Sequence, residues 1–327
     1  LAVFDLKITG GTVVDGSGAD RYPADVGIKE GRIVEVRRRG GADDPGLVGD
    51  AADTIDATDR IVAPGFVDIH THYDGQVSWD SLLEPSSGHG VTTVVTGNCG
   101  VGFAPVAPGR EEWLIKLMEG VEDIPGTALS EGITWGWETY PEYLDAINKQ
   151  QFAIDVGSQV AHGAVRAYAM GDRGARNEPA TAEDIATMSR IVREAIEAGA
   201  LGFSTSRTIA HRAMDGEPVP GTFAAEDELF GLGRAMAAGG QAVFELAPQG
   251  AAGEDIVAPK KELEWMQRLG ADIDRAVSFA LIQVDADPKL WREQLDISAA
   301  AHDAGSRLHP QIAARPFGML LGFPGHH

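Results

Sequence analysis

Two histidines separated by one residue end a short apolar run, Phe66-Val67-Asp68-Ile69-His70-Thr71-His72, that follows Ala63-Pro64-Gly65. Read as a strand, this run puts alternate side chains on one face about 6.6 Å apart along the chain, so both imidazoles can close on a single ion at ~2.0–2.1 Å. The pair is then half of a divalent-metal site. The bland alternative is a polar pair decorating a strand edge, since a two-residue pattern recurs easily by chance. Cys99, the single cysteine, lies in Gly97-Asn98-Cys99-Gly100 just past the apolar stretch 91–96, at the mouth of what reads as the next strand. By itself a lone cysteine is most often an inert small apolar side chain.

The elements that must position these groups alternate along the chain. Residues 6–16 and 24–36 read as short strands broken by Gly and Asp turns, with Glu30-Gly31 set as a hairpin turn, so a small sheet precedes the histidines. From residue 66 onward, strands are expected at 66–72, 91–96, 153–161, 200–204, 241–246, 276–282 and 307–312. Helices are expected at 111–119, 141–149, 182–198, 225–238, 259–269 and 288–304. Thr181, with Asp184 three residues on and Gly199 beyond the far end, is the best-marked helix start. Repeated βα units of this length point to an α/β fold, a (β/α)8 TIM-type barrel. A doubly wound nucleotide-binding sheet would need a glycine-rich phosphate loop where this chain has His-Thr-His-Tyr-Asp. Gly171 to Gly174 and the Gly231/Gly233 pair are therefore read as turn and helix glycines.

Early short strands, then Pro-Gly-Phe-Val-Asp-Ile-His-Thr-His, then Thr96-Gly97-Asn98-Cys99-Gly100, together resemble the N-acyl-D-amino-acid deacylase (D-aminoacylase) family of the amidohydrolase superfamily. The resemblance covers nearly the whole chain. It implies a small β-sandwich part over 1–63 and a metal-dependent barrel over 64–327. It also implies metal ligands at His70, His72 and, as a thiolate, Cys99, with zinc as the expected cation and Asn98 as a hydrogen-bonding neighbour. The family adds a histidine from each of strands five and six and an aspartate from strand eight. Here strand five reads Ala242-Val243-Phe244-Glu245-Leu246 and strand six Val277-Ser278-Phe279-Ala280-Leu281. Glu245 is the expected oxygen donor in place of the first histidine, unless it pairs with an arginine, and Phe279 can supply none. One metal with an open coordination position is the expectation. Strand four, 200–207, offers no lysine, which disfavours the carbamylated-lysine sites of hydantoinase and dihydroorotase type.

His162, after the third strand, is expected to face the barrel mouth and bond the reacting carbonyl or substrate, unless it packs behind the site. Arg207, after strand four, could grip a substrate carboxylate, although a salt bridge is the commoner use of such a residue. Asp74 is expected as a support to the ligands. Asp68, His89, His302 and His309 are expected to be structural or exposed, and His326 and His327 to carry no role.

The chain has 327 residues, 43% of them hydrophobic, enough for one large domain and a small accessory part. With 27 Lys and Arg against 49 Asp and Glu, its formal charge of −22 repels nucleic acid and anionic membrane. No apolar run approaches the ~18 residues of a membrane span, and a cytoplasmic location is the default. The expected partner is a small N-acyl amino acid, and the expected reaction is its deacylation by metal-activated water. The alternatives are another cyclic-amide or C–N hydrolase of the same fold, or a barrel that binds a small molecule without turnover. Because the run of strands stops at the seventh, before the family's aspartate, the chain is expected to be an incomplete barrel, prone to aggregate and nearly inactive alone.

Overall fold

The computed structural model describes residues 3–41 and 44–313, which form two units, Leu1–Phe66 and Val67–His327. His326 and His327 lie outside the described residues. In the first unit, β1 (Phe4–Val13), β2 (Tyr22–Lys29), β3 (Arg32–Arg38), β4 (Ala51–Asp56) and β5 (Ile61–Val62) hydrogen-bond into one five-stranded sheet, in the order β3-β2-β1-β4 with β5 also on β1. The sandwich anticipated for this part is thus a single sheet among the described residues. Glu30 and Gly31 join β2 to β3 with φ of 51° and 70°, the left-handed pair a two-residue hairpin loop requires.

β6 (Phe66–Asp68) leads into the second unit and is followed there by β7 (Val91–Thr96). Next come α1 (Glu111–Glu122), α2 (Gly126–Gly132) and α3 (Tyr140–Ile147), then β8 (Asp155–Ala161) running into α4 (His162–Met170) and α5 (Asp172–Ala175). The order continues with α6 (Ala182–Glu197), β9 (Gly202–Ser206), α7 (Glu226–Gly239), β10 (Val243–Ala247), α8 (Ala258–Ile273), β11 (Ala276–Ala280), α9 (Leu290–Asp303) and β12 (Leu308–Gln311). The seven strands neighbour one another in chain order, and the pairings from β7 to β12 are all parallel. His70, just after β6, reaches Gln311 of β12 at 2.9 Å, so the sheet curls until its first and last strands approach.

Strand alternation divides side chains between the helix layer and the inside of the curl. Phe203, Phe244 and Val277 stand level on β9, β10 and β11, fully buried in the largest apolar cluster with Trp265, Leu269 and Met236 from the helices. Each such side chain contributes roughly 1.5–3 kcal/mol by leaving water. Ser204, Glu245 and Ser278, one residue further on, form the next level row and point the other way. A buried polar row at that level is where a barrel keeps its chemistry. Helix α6 starts as read, with Thr181 and Asp184 making a reciprocal capping box.

Two expectations are corrected. The strand 66–72 stops at Asp68, because Thr71 donates both its N–H (3.0 Å) and its hydroxyl (2.8 Å) to the Val95 carbonyl, turning the chain across the end of β7. His70 and His72 therefore stand on a loop and do not alternate along a strand. Strand β8 has no loop after it, and His162 opens α4 instead of lying at an open mouth.

Candidate metal centre

The loop after β7 is built to a close tolerance. Gly97 (φ 75°), Cys99 (φ 55°) and Gly100 (φ 71°) are all left-handed, a costly conformation for a residue with a side chain. The fold holds Cys99 there. Its N–H donates to Glu245 Oε2 at 3.0 Å, and the Gly100 N–H donates to Ser204 Oγ, also at 3.0 Å, while Ser204 donates in turn to the Gly97 carbonyl. Asn98 ties this loop to the histidine loop, donating to the carbonyls of Thr71 (3.1 Å) and Val95 (2.9 Å) and accepting from Gln159 Nε2 at 2.7 Å. Asp74 Oδ1 accepts the Gly97 N–H at 2.7 Å.

These contacts bring together His70, His72 and Cys99, whose ligand atoms all lie within 4.8 Å of one another. His70 Nε2 is 3.1 Å from Cys99 Sγ, and the two imidazoles meet edge to face with centroids 5.4 Å apart. His72 Nδ1 is buried with no hydrogen-bond partner, while its Nε2 is 3.3 Å from Glu122 Oε1 at the end of α1. Glu245 stands outside the group of three. Its Oε1 lies 3.7 Å from Nδ1 of His70, the ring nitrogen that does not face the thiol.

The electrostatics fit a cation. Burial, then the carboxylates of Glu245, Glu122 and Asp74, pushes the Cys99 thiol well up, and burial together with His70 and His211 pushes His72 well down. Burial raises Asp74 to about 7 against the bond from the Gly97 N–H. It raises Glu122 to about 8, with Asp74 and Asp123 adding to the effect, and lifts Glu245 against His70 and the Cys99 N–H. Three acids and a thiol are thus held toward their neutral forms beside two imidazoles. A divalent cation at this point favours the charged form of all four acids and the lone-pair form of both rings.

The two residues anticipated as catalytic are engaged elsewhere. His162 is fully buried on the helix side of the sheet, against Phe203 at 5.1 Å, with Nδ1 at 2.8 Å from Thr205 Oγ1 and Nε2 at 2.8 Å from Glu228 Oε1. Arg166 donates to the same carboxylate oxygen and to the Glu178 carbonyl. Arg207 donates to Glu262 Oε2 and the Ala224 carbonyl, both at 2.9 Å, beneath the Trp265 ring. Burial pushes the Glu228 carboxyl up, but the bonds and charges of His162 and Arg166 outweigh it and hold the group at about 2. A carboxyl held below its ordinary value of 4.5 adds stability above that value and loses it as pH falls toward 2. Urea midpoints of the wild type should therefore fall more steeply than those of Glu228→Gln between these limits. Parallel pH profiles would show that the Glu228 network does not carry this dependence.

Sequence reasoning missed Glu122, Ser278 and Gln311 at this site and Glu228 beneath it. Gln311 is brought in from 241 residues away by the curl of the sheet and Glu122 from the end of α1, and no local spacing marks either.

A seven-strand parallel curl with a His-x-His and cysteine group at the strand ends is the architecture of a metal-dependent hydrolase barrel. Residues 53–320 match the Amidohydrolase family, and the chain belongs to it. The chain is 31% identical over 318 residues to D-aminoacylase of Alcaligenes xylosoxydans xylosoxydans, covering 95% of this chain and 58% of the relative. It is 36% identical over 237 residues to N-acyl-D-glutamate deacylase of the same organism, covering 72% and 42%. Among solved structures, D-aminoacylase superposes with a TM-score of 0.73 at 28% identity, covering 94% of this chain and 58% of that one. N-acyl-D-glutamate deacylase from Bordetella bronchiseptica, complexed with zinc and a phosphonate inhibitor that mimics the tetrahedral intermediate, superposes with 0.72 at 29%, covering 96% and 59%. The chain thus spans roughly half the length of these relatives.

Proposed function

We propose that this chain carries the metal-binding part of a hydrolase that removes the acyl group from N-acyl-D-amino acids. The observation that carries the reading is the convergence of His70, His72 and Cys99 within 4.8 Å among buried acids. The relatives that act on N-acyl-D-amino acids, one of them seen with zinc, supply the substrate class and the metal.

In this reading His70, His72 and Cys99 hold a divalent cation, zinc being suited to an imidazole and thiolate set. When bound, it supplies Lewis acidity toward an amide carbonyl and makes water a better nucleophile near neutral pH. Glu245 acts from outside the ligand group, fixing the Cys99 backbone through its N–H and facing His70. Glu122, half-buried, stands beside His72. Neither His162 nor Arg207 acts on substrate here. His162 keeps α4 against β9, and Arg207 pins the loop after β9 to α8. No helix among the described residues is long and apolar enough to cross a membrane.

The test is a panel of N-acetyl-D- and N-acetyl-L-amino acids, with cyclic imides and hydantoins alongside, given to zinc-reconstituted protein. Deacylation confined to the D series is expected. Ring opening without deacylation would place the protein with the cyclic-amide hydrolases, and metal-free protein that binds these compounds without turnover would make it a binding barrel.

A further inference from the structure

A part-buried chain of hydrogen bonds inside the curl ends on the His70 ring. The Ser278 hydroxyl donates to the His309 carbonyl at 3.0 Å. That carbonyl can only accept, so the single hydroxyl proton is committed, and Ser278 Oγ must accept from its other neighbour. The neighbour is the Gln311 side chain at 2.7 Å, which therefore presents its NH2 to Ser278 and its oxygen to Nδ1 of His70 at 2.9 Å. An amide oxygen cannot donate, so the proton of a neutral His70 ring lies on Nδ1. Glu245 Oε1 lies 3.7 Å from the same nitrogen, beyond hydrogen-bond distance, and leaves Gln311 as the acceptor there. The remaining lone pair is on Nε2, the atom 3.1 Å from Cys99 Sγ.

We propose that Ser278 and Gln311 are positioning residues that lock the His70 tautomer, so that Nε2 faces the cysteine with its lone pair available to a cation. β11 and β12 thereby act on the centre without supplying a ligand. Ser278 lies in the segment where a ligand from strand six was sought, and its role is to orient the amide that orients the imidazole. An imidazole fixed in this way loses less freedom on binding an ion, and its proton does not have to move first.

This inference rests on the metal reading for its purpose but not for its geometry, and the two are separable by experiment. Nitrogen-15 NMR of histidine-labelled, metal-free protein, with the His70 signals assigned by their loss in His70→Asn, should show the Nδ1–H tautomer. Gln311→Leu should give a mixture of tautomers and weaken zinc binding ~10–100-fold. Ser278→Ala, which frees the amide to turn over, should do so less. Gln311→Glu keeps an acceptor against Nδ1 and should restore both tautomer and affinity, which a residue serving only packing would not do. His70 protonated on Nε2 in the wild type, or wild-type zinc affinity and tautomer in Gln311→Leu, would overturn the lock. Protein with the expected tautomer that takes up no divalent ion would sink the metal reading and leave the lock standing.

Discussion

Replacing both His70 and His72 with alanine should reduce bound divalent metal from a stoichiometric amount to none while the fold persists. Their side chains are part-exposed or sit at the strand ends, away from the apolar cluster that holds the barrel, so the loss should be of ligands and not of structure. Cys99→Ala should weaken the site without abolishing it, because two imidazoles remain and Glu245 still accepts the backbone N–H at position 99. Elemental analysis of protein purified from metal-supplemented medium, with circular dichroism as the control on folding, reads the outcome. Equal metal content in the wild type and the double variant would place the ion elsewhere.

Gly97→Ala should be the most damaging single methyl group near the site. A Cβ there would lie 2.0 Å from the Gln159 carbonyl oxygen and 2.8 Å from its carbon, which are backbone atoms of β8 that cannot step aside. The glycine also holds φ at 75°, which alanine adopts only under strain. The combined cost should reach about 3 kcal/mol or more, at the upper end of single substitutions. Because Cys99 and Asn98 ride on the same loop, zinc affinity should fall together with the urea midpoint. Gly88→Ala, where an added Cβ meets nothing within 4 Å, is the control and should leave both unchanged. A stable Gly97→Ala protein with full affinity would show that the loop tolerates rearrangement.

The sequence was legible where chemistry is local. The strand at Val91–Thr96 falls where its β-branched run puts it, Glu30-Gly31 makes its hairpin, and Thr181 with Asp184 caps its helix. It was misleading where tertiary bonds override a local pattern. The apolar alternation of 66–72 reads as a strand to its end, yet the carbonyl of Val95 captures Thr71 and bends the chain after Asp68. His162 reads as facing the barrel mouth, but it opens α4, whose next residue, Gly163, has no room for a side chain: a Cβ there would strike the Gly100 carbonyl at 2.8 Å. That glycine lets the helix start pack against the cysteine loop, and it carries His162 to the far side of the sheet from the ligands. The grouping of His70, His72 and Cys99 was readable because two of its members lie two residues apart and the third is the single cysteine of the sequence. The residues beside it were not, since Glu122, Ser278 and Gln311 are ordinary residue types that only the packing of α1 and the closing of the curl bring near it.

Anomalous diffraction at the zinc absorption edge, from crystals grown with zinc, locates the ion itself. One peak is expected, ~2.0–2.1 Å from a ring nitrogen of each of His70 and His72 and ~2.3 Å from Cys99 Sγ, with His70 bound through Nε2. A map without a peak there, or one whose peak is held by other residues, would contradict this placement.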